Sequence, residues 1–358
     1  MSGHTWDIYT TANEAWEAMY ADCATAKESI LLEQYIFTQD EIIGQRFAYL
    51  LMQKAAEGVD VKILLDAAGS FKLYHSGIPK LLRESGAEII FFKPIKLHLA
   101  YKINAWFFRD HRKMLVVDGK IGHVGGVGIN GRMKNWRDTH VRITGEVVSE
   151  IEEAFYNLRA RTLDRTTRRY PRRKDFDKTF HFVTNSPHYR RRYLYQSLVE
   201  NIRSARKSIY ITSPYFIPDI RIFRLLRLAS KRGVDVRIIT PLLSDHMLVD
   251  LASYSYFGLA LRSGARVYTY IDQVLHAKSI LIDESWASVG SSNLDNLSLL
   301  FNYEGNIIST DKKFVSELVK HFHQDTAHSL EILRHQWRHR PLWQKIAEVL
   351  TWPFHKIL

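Results

Sequence analysis

Two short segments of this sequence repeat one pattern of potentially reactive side chains, H-x-K-x-x-x-x-D. The first segment is HRKMLVVD, and the second, 165 positions later, is HAKSILID. The pattern residues are His111, Lys113 and Asp118 in the first copy and His276, Lys278 and Asp283 in the second. Identical internal spacing in both places indicates a duplicated half-site, and an imidazole beside a fixed cation indicates chemistry on phosphodiesters.

Histidine and lysine together suit the two needs of phosphodiester cleavage. A neutral imidazole can attack phosphorus in line and form a phosphohistidine, while a second imidazolium protonates the leaving oxygen and later acts as the base. Lys113 and Lys278 are expected to stabilise charge on the non-bridging oxygens. We expect neither a metal nor another cofactor, because the sequence has no zinc-type Cys/His spacing and no acidic calcium loop.

Four carboxylates accompany the motifs. Asp138 and Glu304 follow their motif histidines by 27 and 28 residues, and either could accept a hydrogen bond from a histidine Nδ1–H and so select the tautomer. Asp118 and Asp283 end their segments just before the turns DGK and DES. Two interpretations stay open for these aspartates: a part in the chemistry, or a structural role in a turn or between the halves.

The segments after the motifs extend the predicted site. Ser291 and Asn293 in VGSSNLD offer hydroxyl and amide donors to phosphate oxygens. The equivalent first segment, VGGVGIN, has Gly126 and Gly128 at those positions, so backbone N–H groups, with Gly126 foremost, are expected to replace the side chains there.

The elements that must position these residues are duplicated as well. Three further pairs of segments match as strand or as helix, glycine and strand: 30–37 with 209–216, 54–66 with 228–240, and 81–92 with 259–270. Strands alternating with helices predict an α/β fold with a mixed sheet flanked by helices in each half. Because residues i and i+2 of a strand share a face, His and Lys of each motif can reach one ligand where the halves meet across a pseudo-twofold axis.

Domain boundaries follow from the repeat and from charge. We predict a first domain at 1–160, a basic linker at 161–184, a second domain at 185–330 and an amphipathic tail at 331–358. The linker rests on the arginine-rich run from 159 to 176, which contains Pro171.

Composition limits the class of protein. The chain has 358 residues, of which 46% are hydrophobic and 25% charged, so a folded globular protein is expected. A net charge of +12 favours partners that carry phosphate, whether lipid or nucleic acid. The single cysteine, Cys23, fits a reducing compartment, and neither a signal peptide nor a membrane-spanning stretch is evident.

With these residues assembled, the chain resembles the phospholipase D superfamily, whose mark is the paired HxKxxxxD motif, and within it the bacterial cardiolipin synthases. The subgroup resemblance rests on DAAGS, WRDTHVRITG, TSPYFIPD and GSSNLD as well as on the motifs. It implies two tandem phospholipase D-like domains with one active site at their interface. It also implies condensation of two phosphatidylglycerols to cardiolipin and glycerol, with His111 taking the phosphatidyl group and His276 acting as acid and then base.

The resemblance is to shorter members without transmembrane segments, so peripheral binding at the cytoplasmic face of a bacterial inner membrane is expected. Anionic phospholipids such as phosphatidylglycerol are the expected partners, nucleic acid is not expected, and a monomer is predicted. The segments 95–108 and 341–358 mix aromatic, aliphatic and basic residues and are candidate membrane contacts. Three other functions stay open: a phospholipase D hydrolase, a nuclease of the superfamily, and a binding protein with an inactive site.

Overall fold

The chain is described from a computed structural model, which covers residues 3–95, 107–164, 179–188, 192–244, 247–342 and 344–345. The elements of its first half are β1 (Trp6–Thr11), α1 (Ala12–Thr25), β2 (Ser29–Gln34), α2 (Gly44–Ala56), β3 (Asp60–Asp66), α3 (Phe71–Tyr74), α4 (Ile78–Glu84), β4 (Glu88–Phe92), β5 (Met114–Val117), β6 (Ile121–Gly125), β7 (Arg137–Thr144) and α5 (Val147–Leu163).

The second half repeats most of this order. Its elements are β8 (Phe180–Asn185), α6 (Tyr193–Ser204), β9 (Ser208–Thr212), β10 (Phe216–Ile217), α7 (Ile220–Lys231), β11 (Asp235–Pro241), α8 (Met247–Ser263), β12 (Arg266–Tyr270), β13 (Ser279–Ile282), β14 (Trp286–Gly290), β15 (Leu294–Asp295), β16 (Glu304–Ser309), α9 (Lys312–Ala327), β17 (Ser329–Glu331) and α10 (Arg334–Arg338).

Both halves have the same sheet topology. The first sheet has seven strands in the order β1-β7-β6-β5-β2-β3-β4. The second has eight, and read from β8 its order is β8-β16-β14-β13-β9-β11-β12 with β17 added at the edge. In each sheet three parallel strands adjoin four antiparallel ones, so the predicted α/β fold with two mixed sheets is confirmed.

The two sheets share a central layer of buried side chains. In β2, Leu31 points into this layer while Ile30 and Leu32 point to the outer helices, as the two-residue period of a strand requires. Helices α5 and α9 lie against the inner faces of the two sheets, and their buried residues belong to the same central cluster. Strands covered on both faces explain the near-continuous apolar runs in the sequence.

The domain boundaries differ from the predicted ones at two places. Strand β8 begins at Phe180, inside the segment 161–184 that was predicted as a linker, because its residues pair with β16 at the edge of the second sheet. At the other end, β17 and Trp337 of α10 pack on the second domain, so the predicted tail at 331–358 begins with domain structure. Residues 165–178 of the linker lie outside the described residues.

Among the helices that the structure describes, none combines the length and the apolar character that crossing a bilayer requires. The two candidate membrane segments lie largely outside the described residues, which exclude 96–106 and 346–358.

Candidate active site

The two halves are joined beside the motif histidines by a pair of equivalent backbone contacts. Asp110 forms a parallel bridge with Tyr303, and Leu275 forms one with Arg137. As a result, the backbone N–H of His111 donates to Tyr303 O at 2.9 Å, and that of His276 donates to Arg137 O at 2.7 Å. Each histidine therefore lies on the line where the two domains meet, which we call the seam. Its backbone N–H is bound to the segment that carries the other domain's carboxylate.

The carboxylates are exchanged between the halves. Glu304 of the second domain lies 3.0 Å from Nδ1 of His111, which belongs to the first domain. Asp138 of the first domain lies 2.7 Å from Nδ1 of His276, which belongs to the second. Since a carboxylate accepts, these contacts assign a hydrogen to Nδ1 of both rings, and Nε2 is the nitrogen that takes up or gives the second proton.

The site is buried, and burial acts unequally on its groups. The side chains of His111 and His276 are 14% and 10% exposed, while those of Glu304 and Asp138 are fully buried. Burial lowers the pKa of His111, and it outweighs the opposite effect of Glu304. Burial acts to raise the pKa of Asp138, but His276 and Lys278 together hold it below its usual value, so this carboxylate is ionised at neutral pH.

Each lysine follows its histidine by two residues and immediately precedes β5 or β13. Nζ of Lys113 donates to the carbonyl of His111 at 2.6 Å, and Nζ of Lys278 donates to the carbonyl of His276. Both are almost completely buried. Burial lowers the pKa of Lys113 to about 7, although Glu304 and Asp138 act in the opposite direction, because an ammonium group out of water is costly.

Asp118 and Asp283 lie at the far ends of the strands that follow their histidines. Asp118 lies seven positions after His111, a separation of roughly 20 Å in an extended chain, so these carboxylates are remote from the histidines. Asp118 accepts hydrogen bonds from the backbone N–H groups of residues 27–29, and Asp283 accepts those of residues 206–208. Of the two interpretations of these aspartates, the structure therefore matches the structural one, because each carboxylate ties a hairpin turn to the start of β2 or β9.

Gly126 and Ser291 occupy equivalent positions, and each supports an orienting carboxylate in a different way. A Cβ at Gly126 would come within 2.2 Å of Oδ1 of Asp138, so this residue makes room for the carboxylate. Ser291 instead donates its hydroxyl to Glu304 and accepts the backbone N–H of Gly305 at 3.1 Å. Both positions thus support the orienting carboxylates, and the Ser291 hydroxyl hydrogen expected to bind phosphate is directed to Glu304.

Comparison with known proteins agrees with this geometry. The family described as "Cardiolipin synthase, PLD-like domain" matches residues 20–159 and 198–326, which include both motifs and both carboxylates. The chain belongs to the cardiolipin synthase family.

Curated relatives match this cardiolipin synthase family member over nearly its whole length. The "Major cardiolipin synthase ClsA" of Bacillus subtilis is 35% identical, over 96% of this chain and 73% of the relative. The cardiolipin synthase of Halalkalibacterium halodurans is 36% identical, over 95% and 70%, respectively. The resemblance inferred from the sequence is therefore confirmed.

Solved structures show the fold alone, since their sequences are distant. The phosphatidylserine synthase of Haemophilus influenzae superposes with a TM-score of 0.76 at 16% identity, over 98% of this chain and 93% of that one. The polyphosphate kinase of Porphyromonas gingivalis has a TM-score of 0.59 at 14% identity, over 90% of this chain and 50% of the kinase. Two tandem domains of this kind are thus also found in solved proteins.

Asn293 of this cardiolipin synthase family member lines a small cavity next to Lys278. The cavity, of about 10 Å³, is large enough for one water molecule and is lined by several hydroxyl groups as well as by Asn293 and Asn306. The equivalent place in the first half is occupied by larger side chains, with His140 at the position of Asn306 and Gln34 at that of Ser213. The surroundings of the two lysines therefore differ.

Two aromatic rings at the site were missed by sequence reasoning. The ring of Tyr35 packs edge-on against His111 with centroids 4.9 Å apart, and Nζ of Lys113 lies 5.2 Å from its centroid. Trp136 packs against His276 at 5.3 Å. Tyr35 stands in the repeated segment 30–37, and Trp136 begins WRDTHVRITG, two positions before Asp138, which was a usable signal.

Buried ion pairs that the motifs do not reveal support the seam. Arg137, whose carbonyl accepts from His276, forms a two-point pair with Asp325 of α9 at 2.7 and 2.8 Å. Arg109 pairs with Asp66 at 2.8 Å, and the backbone N–H of Arg109's neighbour Asp110 donates to the same carboxylate. Arg137 is itself a bridged residue and Arg109 precedes one, so the ion pairs stabilise the backbone next to the histidines.

The part of the chain that the structure describes contains no cluster of three or more His, Cys, Asp or Glu side chains arranged to hold a metal ion.

Proposed function

We propose that this protein is a phosphatidyltransferase that condenses two phosphatidylglycerols to cardiolipin and glycerol through a phosphohistidine. The observation that carries the proposal is the pair of histidines, each with Nδ1 held by a buried carboxylate of the other domain. Family membership supplies the substrate class, because curated relatives are named cardiolipin synthases.

In the first step His111 is the nucleophile and His276 the acid. Nε2 of neutral His111 attacks phosphorus, the bond from phosphorus to the glycerol oxygen breaks, and His276 transfers its Nε2 proton to that oxygen. The products are phosphatidyl-His111 and free glycerol. Lys113 and Lys278 stabilise the charge on the non-bridging oxygens as the trigonal-bipyramidal transition state forms.

In the second step the same groups act in reverse. His276, now neutral, removes the proton from a headgroup hydroxyl of the second phosphatidylglycerol, and that oxygen attacks phosphorus. The bond from phosphorus to Nε2 of His111 breaks, which releases cardiolipin and restores both side chains.

The assignment of roles is supported by the electrostatics. A nucleophile must be neutral, and burial lowers the pKa of His111. The acid must be protonated, and the ionised Asp138 at 2.7 Å from Nδ1 of His276 stabilises an imidazolium there. Ser291 reduces the ability of Glu304 to do the same for His111, because its hydroxyl already donates to that carboxylate.

The protein is further proposed to act as a monomer that is peripheral to the cytoplasmic face of the inner membrane. One chain contains both histidines and both carboxylates, so a second copy is not needed to complete the site. Phospholipase D hydrolysis uses the same residues with water as the acceptor, and a nuclease would use them on nucleic acid.

The test is product analysis with purified protein on phosphatidylglycerol vesicles and, separately, on single-stranded DNA. Cardiolipin with one glycerol per cardiolipin is expected, and EDTA should not change the rate. Phosphatidic acid as the main product would replace the proposal with hydrolysis, and cut DNA with unchanged lipid would replace it with a nuclease. Mass analysis of protein quenched with denaturant at neutral to mildly alkaline pH, where the P–N bond survives, should find the phosphatidyl adduct on His111, and an adduct on His276 would reverse the assigned roles.

A further inference from the structure

The parallel strands of both sheets end at the edge where the histidines lie. Strand β5 is antiparallel to β2, so His111, three residues before β5, stands at the carboxyl end of β2. The same relation between β13 and β9 places His276 at the carboxyl end of β9. Loops that follow the parallel strands therefore surround the entrance to the site. We call this side of the molecule the site edge.

Several loops at the site edge expose aliphatic side chains. Ile220, which follows β10 and opens α7, is 82% exposed. Leu242 and Leu243 follow β11 and are 48% and 69% exposed. In the first domain, Ile42 after β2 and Phe108 after β4 are 52% and 40% exposed. Grouped exposure of large apolar side chains is costly in water and marks an interaction surface.

Helix α7 adds positive charge next to these residues. Its exposed side carries no carboxylate, and Arg221 and Arg224 are exposed in the half of the helix that begins at the site edge. Within the residues that the structure describes, neither arginine belongs to an ion pair, whereas Arg237 of the following strand, β11, does. The nearest acid, Asp219, is occupied as the helix N-cap and accepts from Tyr195 at 2.7 Å.

We propose that Ile220, Leu242 and Leu243, with Arg221 and Arg224 of α7, form a docking surface for an anionic lipid bilayer. The choice of lipid rests on the proposed function, because a lipid substrate must reach the histidines from a membrane. Insertion of the aliphatic side chains at the headgroup boundary, with arginines at the phosphates, is the usual arrangement of interfacial proteins. Docking through the site edge points the entrance of the site at the bilayer.

Charge and apolarity together favour lipid over nucleic acid. A basic helix alone would suit either polyanion. Ile220 and Leu243 cannot form favourable contacts with the phosphate backbone of a nucleic acid. Their burial in the acyl region of a bilayer is favourable by the hydrophobic effect. The combination of exposed aliphatic side chains with arginines that form no ion pair among the described residues is therefore expected of a bilayer contact.

Cosedimentation with vesicles tests the surface without requiring turnover. Vesicles of phosphatidylglycerol and phosphatidylcholine are compared with pure phosphatidylcholine vesicles, using the full chain. Ile220→Glu combined with Leu243→Glu should lower the partition coefficient on the mixed vesicles at least tenfold. Arg221→Gln combined with Arg224→Gln should lower it about 25-fold on mixed vesicles, at about fivefold per cation, and should have little effect on pure phosphatidylcholine.

Matched controls lie on α4, whose C-terminal end leads to the opposite edge of the first sheet. Leu81, 49% exposed, and Lys80 receive the same changes, Leu81→Glu and Lys80→Gln, and should leave the partition coefficient unchanged. Thermal melts of every variant check that the fold is retained.

The outcomes separate this proposal from the proposed function. Wild-type partition by the folded double glutamate variant, or stronger binding to single-stranded DNA than to mixed vesicles, overturns the docking surface. Normal vesicle binding by wild-type protein without cardiolipin formation overturns the proposed function and leaves the docking surface standing.

Discussion

At the scale of single residues, the orienting carboxylates are as important to the site as the histidines. Asp138 and Glu304 are fully buried and contact Nδ1 of their histidines across the seam. A hydrogen bond to Nδ1–H both selects the tautomer and stabilises the imidazolium, and loss of that support in comparable triads lowers turnover by several orders of magnitude.

Asp138→Asn and Glu304→Gln are therefore expected to lower kcat by about 10² to 10⁴-fold with little change in KM. An amide of the same size can donate to Nδ1 and so favours the wrong tautomer. Steady-state kinetics on phosphatidylglycerol measure the effect. Ordinary kcat in Asp138→Asn would show that the pair with His276 has no catalytic importance.

The lowered pKa of Lys113 predicts that kcat/KM falls at alkaline pH. Its pKa is lowered to about 7 by burial, so the empty enzyme loses this cation as the pH rises through 7. Phosphate oxygens need the protonated form, and kcat/KM should therefore fall about tenfold for each pH unit well above 7. A pH series of kcat/KM measures it.

Arginine stays protonated throughout this range, so Lys113→Arg, if active, should lose the alkaline fall. A profile that stays level to pH 9 in the wild type would contradict a role for the Lys113 ammonium group.

At the scale of elements, the motif aspartates are turn and loop residues. Asp118 and Asp283 both have a positive φ of 53°, as the tight turns after β5 and β13 require. Burial acts to raise the pKa of each, but the three backbone N–H groups that each accepts hold it below its usual value. The two ends of the repeated motif thus have separate roles. The histidine takes part in the chemistry, and the aspartate forms the turn.

Asp118→Ala is expected to lower the free energy of unfolding by about 1 to 2 kcal/mol, as for a lost helix cap, while folded protein keeps its turnover. Because the folded pKa is lowered, this stabilisation is present above the unfolded pKa and is lost as the pH falls through the folded pKa. The difference in the free energy of unfolding between wild type and Asp118→Ala should therefore be present at neutral pH and disappear at acid pH. Denaturant melts at both pH values measure it.

The matched control is Glu84→Ala, which removes an exposed carboxylate that only faces Lys80 at 3.6 Å. Surface pairs of this kind contribute little, so its stability should stay near that of the wild type. Loss of turnover in folded Asp118→Ala would contradict a purely structural role and show that this aspartate takes part in the chemistry.

At the scale of the whole molecule, the site exists only where the domains meet. The first domain contains His111 and Asp138, the second contains His276 and Glu304, and every orienting contact crosses the seam. Bridged backbones and the buried pair of Arg137 with Asp325 fix the two domains at this place.

A mixing experiment tests whether one chain forms the whole site. His111→Ala and His276→Ala should each reduce turnover to background, and an equimolar mixture should stay there, because each chain pairs its own halves. Recovered activity after joint refolding would show domain exchange between chains and a shared site. Size-exclusion chromatography of the wild type provides the independent check of the monomer.

Much of this protein was determined by the sequence itself. The duplicated motif, the repeated helix, glycine and strand segments, and the two carboxylates were visible as spacing, because a buried strand and a glycine-ended helix leave local patterns. They predicted two mixed sheets, the family and the residues that the structure brings together.

Only the tertiary structure decided how those residues are paired. The exchange of Glu304 and Asp138 between domains, the commitment of Ser291 to Glu304 and the turn role of Asp118 depend on contacts between residues far apart in the chain. Local patterns carry no record of such contacts, since they arise when two sheets pack and their edges align. The sequence therefore specified both half-sites, and the packing of one domain against the other made them a single site.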